Sequence, residues 1–158
     1  MNIFVLDKNP EKAARYLCDK HVVKMILESA QLLCTAHRVC DKNCKCKILY
    51  KSTHVNHPCS IWVRESLGNY NWLVRHALEM CREYKRRYGR EHKSCEVVEW
   101  CAKNSPKIKK KKMTAFVLAM PDKYKNKDAV KAYRNFYLHE KMRFAKWKNC
   151  KKPGWVKK

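Results

Sequence analysis

Apolar positions recur at helical spacing through most of the chain. The clearest case is His21 to Arg38, where Val22, Val23, Met25, Ile26, Leu27, Ala30, Leu32, Leu33 and Ala36 predict a helix with only a narrow polar stripe. Upstream, the apolar run 2–6 reads as a buried strand or an anchored N-terminal arm. Asp7 to Pro10 is a turn, and Asn9-Pro10 opens a helix from about 10 to 18, because proline suits the first helical position. Pro58 starts a long helical region to Tyr88, broken near Leu67-Gly68 and stopped by Gly89. A shorter helix over 94–103 is given a Ser94 cap. A last amphipathic helix spans about 127–145, with Ala129, Val130, Tyr133, Phe136, Tyr137 and Phe144 on its core side. Segment 39–57 is polar, cysteine-rich and without period, and reads as a loop. Ser105-Pro106 and the lysines 109–112 break the pattern again before the apolar run 113–120. The expected fold is mainly α: a compact single-domain helical bundle over 1–145, with a short N-terminal strand or arm and a basic Trp/Lys tail over 146–158.

Composition narrows the chemistry. The chain has 158 residues, 46% of them hydrophobic, which fits one domain with a real core. Its three glycines, Gly68, Gly89 and Gly154, cannot build a dinucleotide fingerprint, a phosphate-binding P-loop or a nucleophile elbow. There is no apolar run of membrane-spanning length and no signal-peptide layout, so the reading is a soluble intracellular protein without a membrane partner. The formal charge is +23, and residues 105–158 carry 18 basic against three acidic residues, net +15. Such a field attracts polyanions and supplies phosphate affinity through counterion release. Nucleic acid is the expected partner, DNA first and RNA as the alternative, for a monomer needing no cofactor. Cys18, Cys34, Cys81 and Cys101 sit among apolar residues and read as small buried hydrophobes rather than disulfide partners.

Four groupings carry candidate chemistry. His21, Lys24, Glu28, Gln31 and Thr35 lie 3, 4, 3 and 4 residues apart and share one helix face, suited to the floor of a polar cleft or to a plain solvated face. Thr53-His54-Val55-Asn56-His57 precedes a helix start that seats phosphate, with Arg64 two turns inside; an ordinary capped loop reads the same way. His37, Cys40, Cys44 and Cys46 are zinc-type residues at a spacing too cramped for a tetrahedral site, and no metal is assigned. The zinc-deaminase signature fails because Pro58-Cys59 is followed by Trp62 where a second cysteine is required. Lastly, bases and aromatics interleave. Arg75, Arg82, Arg86, Arg87, Lys109, Lys110, Arg134, Lys146, Trp147 and Lys148 join His54, His57 and Arg64 as nucleic-acid-binding candidates.

Asp19-Lys20-His21-Val22-Val23-Lys24-Met25, His57-Pro58-Cys59-x-x-Trp62, Tyr133-Arg134-Asn135 and Lys146-Trp147-Lys148-Asn149 together resemble a family of small proteins from bacteriophages and large DNA viruses. In layout the chain is similar to the viral pyrimidine-dimer DNA glycosylases, which places it in an infected host cell or a virion. That resemblance implies a helical enzyme that flips a nucleotide, attacks C1′ with an amine and then cleaves the abasic strand, assisted by a carboxylate at Glu28. The family's amine is the α-amino group of a small residue exposed by Met removal. Here the chain starts Met1-Asn2, a poor context for trimming, and the arginine-rich motif beside the family's glutamate is missing. An α-amine titrates near about 7.7–8.0 and is partly neutral at pH 7, whereas a lysine such as Lys24 starts near about 10.4. The catalytic candidates are therefore Glu28, Lys24, His21 and the amine of Met1 or Asn2, with His21 and His57 near the phosphates or the leaving base. Two further readings stand beside this one: a non-enzymatic basic DNA- or RNA-packing protein, and a small nucleotide-processing enzyme.

Overall fold

The computed structural model describes residues 1–41 and 43–156; Lys42 of the expected loop and Lys157 and Lys158 of the expected tail lie outside the described residues. Among these residues six α-helices run in order: α1 Pro10–Tyr16, α2 Asp19–Cys40, α3 Pro58–Glu65, α4 Leu67–Tyr88, α5 Cys95–Lys103 and α6 Ala129–Glu140. Among the described residues there is no strand, so the run 2–6 is an arm.

The helix ends follow local chemistry. Asn9 caps α1 by accepting the Lys12 N–H, Asp128 caps α6 by accepting those of Val130 and Lys131, and Gly89 ends α4 at φ +68°, in the left-handed region that favours glycine. Two expectations need correction. Ser94 makes no side-chain cap, because its hydroxyl is taken by the Tyr50 hydroxyl at 3.0 Å. The last helix stops at Glu140, so Phe144 packs from the turn that follows it.

The long helices α2 and α4 cross at the centre, with α1 on α4 and with α3 and α5 against both. Val22, Ile26, Leu33, Leu73, Ala77, Met80 and Val98 fill the space between and are fully enclosed. Burying the valine, isoleucine, leucine and methionine side chains among them contributes about 1.5–3 kcal/mol each. Cys18, Cys34 and Cys101 lie in this core as free thiols, but Cys81 is bonded to Cys95. The α4–α5 hairpin brings their Cα atoms to 5.9 Å, a tertiary juxtaposition that apolar neighbours in sequence do not reveal.

Two irregular segments are tied down by side chains. Arg38 donates to the carbonyls of Cys44, Cys46, Leu49 and Tyr50, which organises the cysteine-rich loop. The stretch 113–120 forms a strap across the bundle. Asn69 holds Thr114, the Trp62 indole donates to the Ala115 carbonyl, and the Tyr133 hydroxyl donates to that of Val117. The strap lies so close to α4 that a Cβ on Gly68 would run into the backbone of Lys112 and Met113. Glycine is required there.

Candidate active site

The strap and α2 together fix the N-terminus. The Asn2 side chain donates to the Ala119 carbonyl at 2.7 Å, while its Oδ1 accepts the N–H groups of Ile3 and Phe4. That local turn leaves Phe4 at φ +41°, a conformation costly for a bulky residue. The surroundings hold it there: the Phe4 ring stacks on His21 at 4.5 Å and meets Tyr137 edge-on at 5.6 Å. At the other end of the arm, Arg134 donates to the Leu6 carbonyl at 2.8 Å. The chain start is thereby pressed against the middle of α2.

Glu28 receives it. Its Oε2 accepts the Asn2 backbone N–H at 3.1 Å and lies 4.0 Å from the Met1 amine, and its Oε1 is 3.4 Å from the Lys24 ammonium. The Glu28 side chain is 12% exposed and that of Lys24 is 69% exposed, so the carboxylate is largely covered and Lys24 reaches it from solvent. His57 completes this corner. Its Nδ1 accepts the Cys59 N–H at 3.1 Å as the cap of α3. Burial holds its pKa below the usual histidine range, helped by the positive N-terminus and His54 and opposed by Glu28. It is therefore a neutral ring. His54 is exposed and hydrogen-bonded to the Thr53 hydroxyl.

The polar stripe thus divides. Lys24 and Glu28 face the site. Thr35 is buried and brackets Thr53 in both directions, through its hydroxyl and the Thr53 backbone, so it positions the histidine loop. His21 is 7% exposed beneath the Phe4 ring, which corrects its place on a cleft floor. Tyr137 accepts the Cys18 N–H, and its hydroxyl is hydrogen-bonded to His21 Nδ1 at 2.9 Å. Sequence reasoning missed the arm's partners, since Asn2–Ala119 and Leu6–Arg134 join residues more than a hundred positions apart.

Burial, aided by Lys141 and Lys24, lowers the His21 pKa to about 4, and burial lowers that of His76 likewise to about 4. The His76 Nδ1–H donates to the Pro10 carbonyl at 2.9 Å while its Nε2 is enclosed without a partner. The unfolded chain takes up these protons near about pH 6.5, and the folded one only near 4. Stability therefore falls as pH drops from about 6.5 to about 4 and levels off below, by roughly 3 kcal/mol for each histidine. Urea unfolding at pH 7.5 and pH 4.5 checks this; equal midpoints would remove both histidines from the account.

The basic candidates also separate. Arg75, Arg82 and Arg86 are exposed but paired with Glu11, Glu79 and Glu83. Arg64 donates to the Val55 carbonyl and the Ser60 hydroxyl. Trp147 is half-buried, its indole donating to the Tyr16 carbonyl. Arg87 is a correction: its side chain is fully enclosed and bonded to Glu83 and Asp19, where no phosphate reaches it. Lys109, Lys110, Lys146 and Lys148 are exposed. Residues 146–156 are docked rather than trailing. The Asp19 N–H donates to the Lys146 carbonyl, the Lys148 N–H donates to Asp19 Oδ2, and Trp155 packs on Tyr16 and Tyr137.

A compact helical bundle that anchors its own N-terminus against a largely covered carboxylate, under a strongly basic surface, has the makings of a small DNA-processing protein. Residues 1–97 match the family model of the pyrimidine dimer DNA glycosylases, more than half of the chain, and the chain belongs to that family. No curated protein and no solved structure matches it.

Proposed function

We propose that the protein is a DNA glycosylase with abasic-site lyase activity, working through its α-amine and Glu28. The observation that carries this is the position of the chain start: Asn2 N at 3.1 Å and Met1 N at 4.0 Å from one Glu28 oxygen. Either nitrogen, as the terminal amine, has the same carboxylate beside it. The neutral amine adds to C1′ of an extruded nucleotide. The glycosidic C1′–N bond breaks, and the base leaves with the electron pair and takes up a proton. The attached nitrogen then opens the C1′–O4′ bond, O4′ takes up a proton, and the resulting protonated imine carries positive charge that the Glu28 carboxylate stabilises. Loss of a C2′ proton then expels the 3′ phosphate, and water releases the enzyme. In this reading His57, held neutral by burial, exchanges protons with the sugar or the leaving base.

Borohydride reduces such an imine to a stable amine. Incubation with duplexes carrying a pyrimidine dimer or an abasic site should therefore give a covalent adduct in the presence of borohydride and a cleaved strand in its absence. Peptide mass spectrometry of the adduct identifies whether Met1 or Asn2 holds the sugar. Tight binding with neither adduct nor cleavage would favour the packing reading.

Binding itself should depend steeply on salt, given the net charge of +23. Each phosphate neutralised contributes about 0.9 to the slope of log affinity against log salt, so neutralising about six or more phosphates costs about 10³-fold between 50 and 200 mM salt. Fluorescence anisotropy over that range checks it. An affinity that stays level would remove the electrostatic argument.

A further inference from the structure

Two turns before Glu28 on α2 there is a concave site. A cavity of about 400 Å³ is bounded by Lys20, Tyr88, Arg143, Phe144, Lys146 and Lys148. Asp19 is the one acid lining it, and both of its oxygens are occupied: Oδ1 accepts from Arg87 at 3.1 Å and Oδ2 accepts the Lys148 backbone N–H at 2.9 Å. Among the described residues, none of the four cations has a carboxylate within ion-pair distance. On the neighbouring helix, by contrast, Arg75, Arg82, Lys85 and Arg86 are all paired.

The site is held in shape. The Asp19–Lys146 and Lys148–Asp19 hydrogen bonds clamp this turn onto the start of α2, and the Lys20 ammonium lies 5.3 Å from the centre of the Phe144 ring. Lys20, Lys24 and Glu28 follow one another at intervals of four and form a single ridge. Eight residues at 1.5 Å each set Lys20 about 12 Å along that ridge from Glu28. One DNA strand advances about 3.4 Å along the duplex axis per phosphate, so this is about three to four phosphates.

We propose that the cavity is a phosphodiester clamp for the DNA strand being processed. It grips the backbone three or four nucleotides from the sugar at Glu28, with Tyr88 and Phe144 against the adjoining sugar or base. The proposal deepens the glycosylase reading and rests on it for the direction of the strand. Three of the four cations, Arg143, Lys146 and Lys148, lie beyond the residues that match the family model.

The test is a scan with neutral linkages. Duplexes carrying a stable abasic analogue receive one methylphosphonate, moved a single position at a time along either strand, and affinity is measured for the parent and for an Arg143→Gln/Lys146→Gln/Lys148→Gln variant whose thermal unfolding matches the parent's. For the parent, affinity should fall about fivefold or more at one position three to four nucleotides from the analogue on one strand. For the variant that penalty should vanish, and its salt slope should drop by about 0.9 for each phosphate it no longer neutralises. A penalty that persists in the variant, or a parent scan level across those positions, overturns the clamp. Borohydride trapping of the parent is read separately. Trapping with a level scan sinks only the clamp, whereas a positive scan without trapping sinks only the chemistry.

Discussion

Replacing Glu28 by Gln is expected to reduce strand cleavage and borohydride trapping by about 10²-fold or more, while duplex affinity stays level or rises. The magnitude is that of losing one well-placed acid–base or electrostatic group from a reacting centre. Glutamine suits the test because it keeps a side-chain oxygen where the Asn2 N–H donates, at 3.1 Å in the parent, and so keeps the arm in place. Only the charge and the proton-accepting capacity disappear. Affinity does not suffer, because the change removes a negative charge from a surface that meets phosphates. Single-turnover cleavage of an abasic duplex gives the rate, and anisotropy gives the affinity. A variant as fast as the parent would free Glu28 of any catalytic role. One that is slow and also fails to bind would point to a displaced N-terminus instead.

Much of this arrangement was legible in the sequence wherever it is local. Asn9-Pro10, Pro58 and Gly89 mark real helix ends because caps and proline act within a single turn. The spacing of Lys24 and Glu28 put them on one face, and they do meet. The same spacing misplaced His21 and Thr35, because burial along a stripe is decided by what packs above it. Here that is Phe4 from the arm and Thr53 from a loop, neither implied by helical period. Lysine-rich composition likewise does not show how the tail is held: the Trp147 indole donates to the Tyr16 carbonyl, and the Trp155 ring packs on Tyr16 and Tyr137. Adjacent arginines are the hardest case. Arg86 and Arg87 look alike in sequence, but a rotation of about 100° around the α4 axis sends one to solvent and the other into the core. The only sequence signal was the spacing of Glu79, Glu83 and Arg87 at intervals of four, three charges on one face.

Arg87→Ala should be the most destabilising single change among the charged residues, at about 3–5 kcal/mol. The guanidinium is fully enclosed and bonds to four residues, Arg15, Leu17, Asp19 and Glu83. Its Nε donates to Glu83 at 3.0 Å, and Nη1 donates both to the Leu17 carbonyl at 2.9 Å and to Asp19 at 3.1 Å. Nη2 donates to the Arg15 carbonyl at 3.2 Å. These bonds fasten the end of α1 and the start of α2 to α4, and through Asp19 they reach the turn that carries Lys148. Truncation leaves Glu83, which is 1% exposed, with Arg86 as its remaining cation, and strands two carbonyls without donors. Unpaired buried groups are costly because water cannot replace the lost partner. Against a typical total stability of about 5–15 kcal/mol, such a loss leaves the fold marginal. Arg87→Lys should recover only part of it, since one ammonium cannot span a site built for a forked donor. Arg86→Ala, on the solvent side of the same glutamate, should cost about 1 kcal/mol or less. Urea denaturation of the three variants at pH 7.5 tests the ranking. A loss below about 1 kcal/mol for Arg87→Ala would mean the network organises these elements without stabilising them.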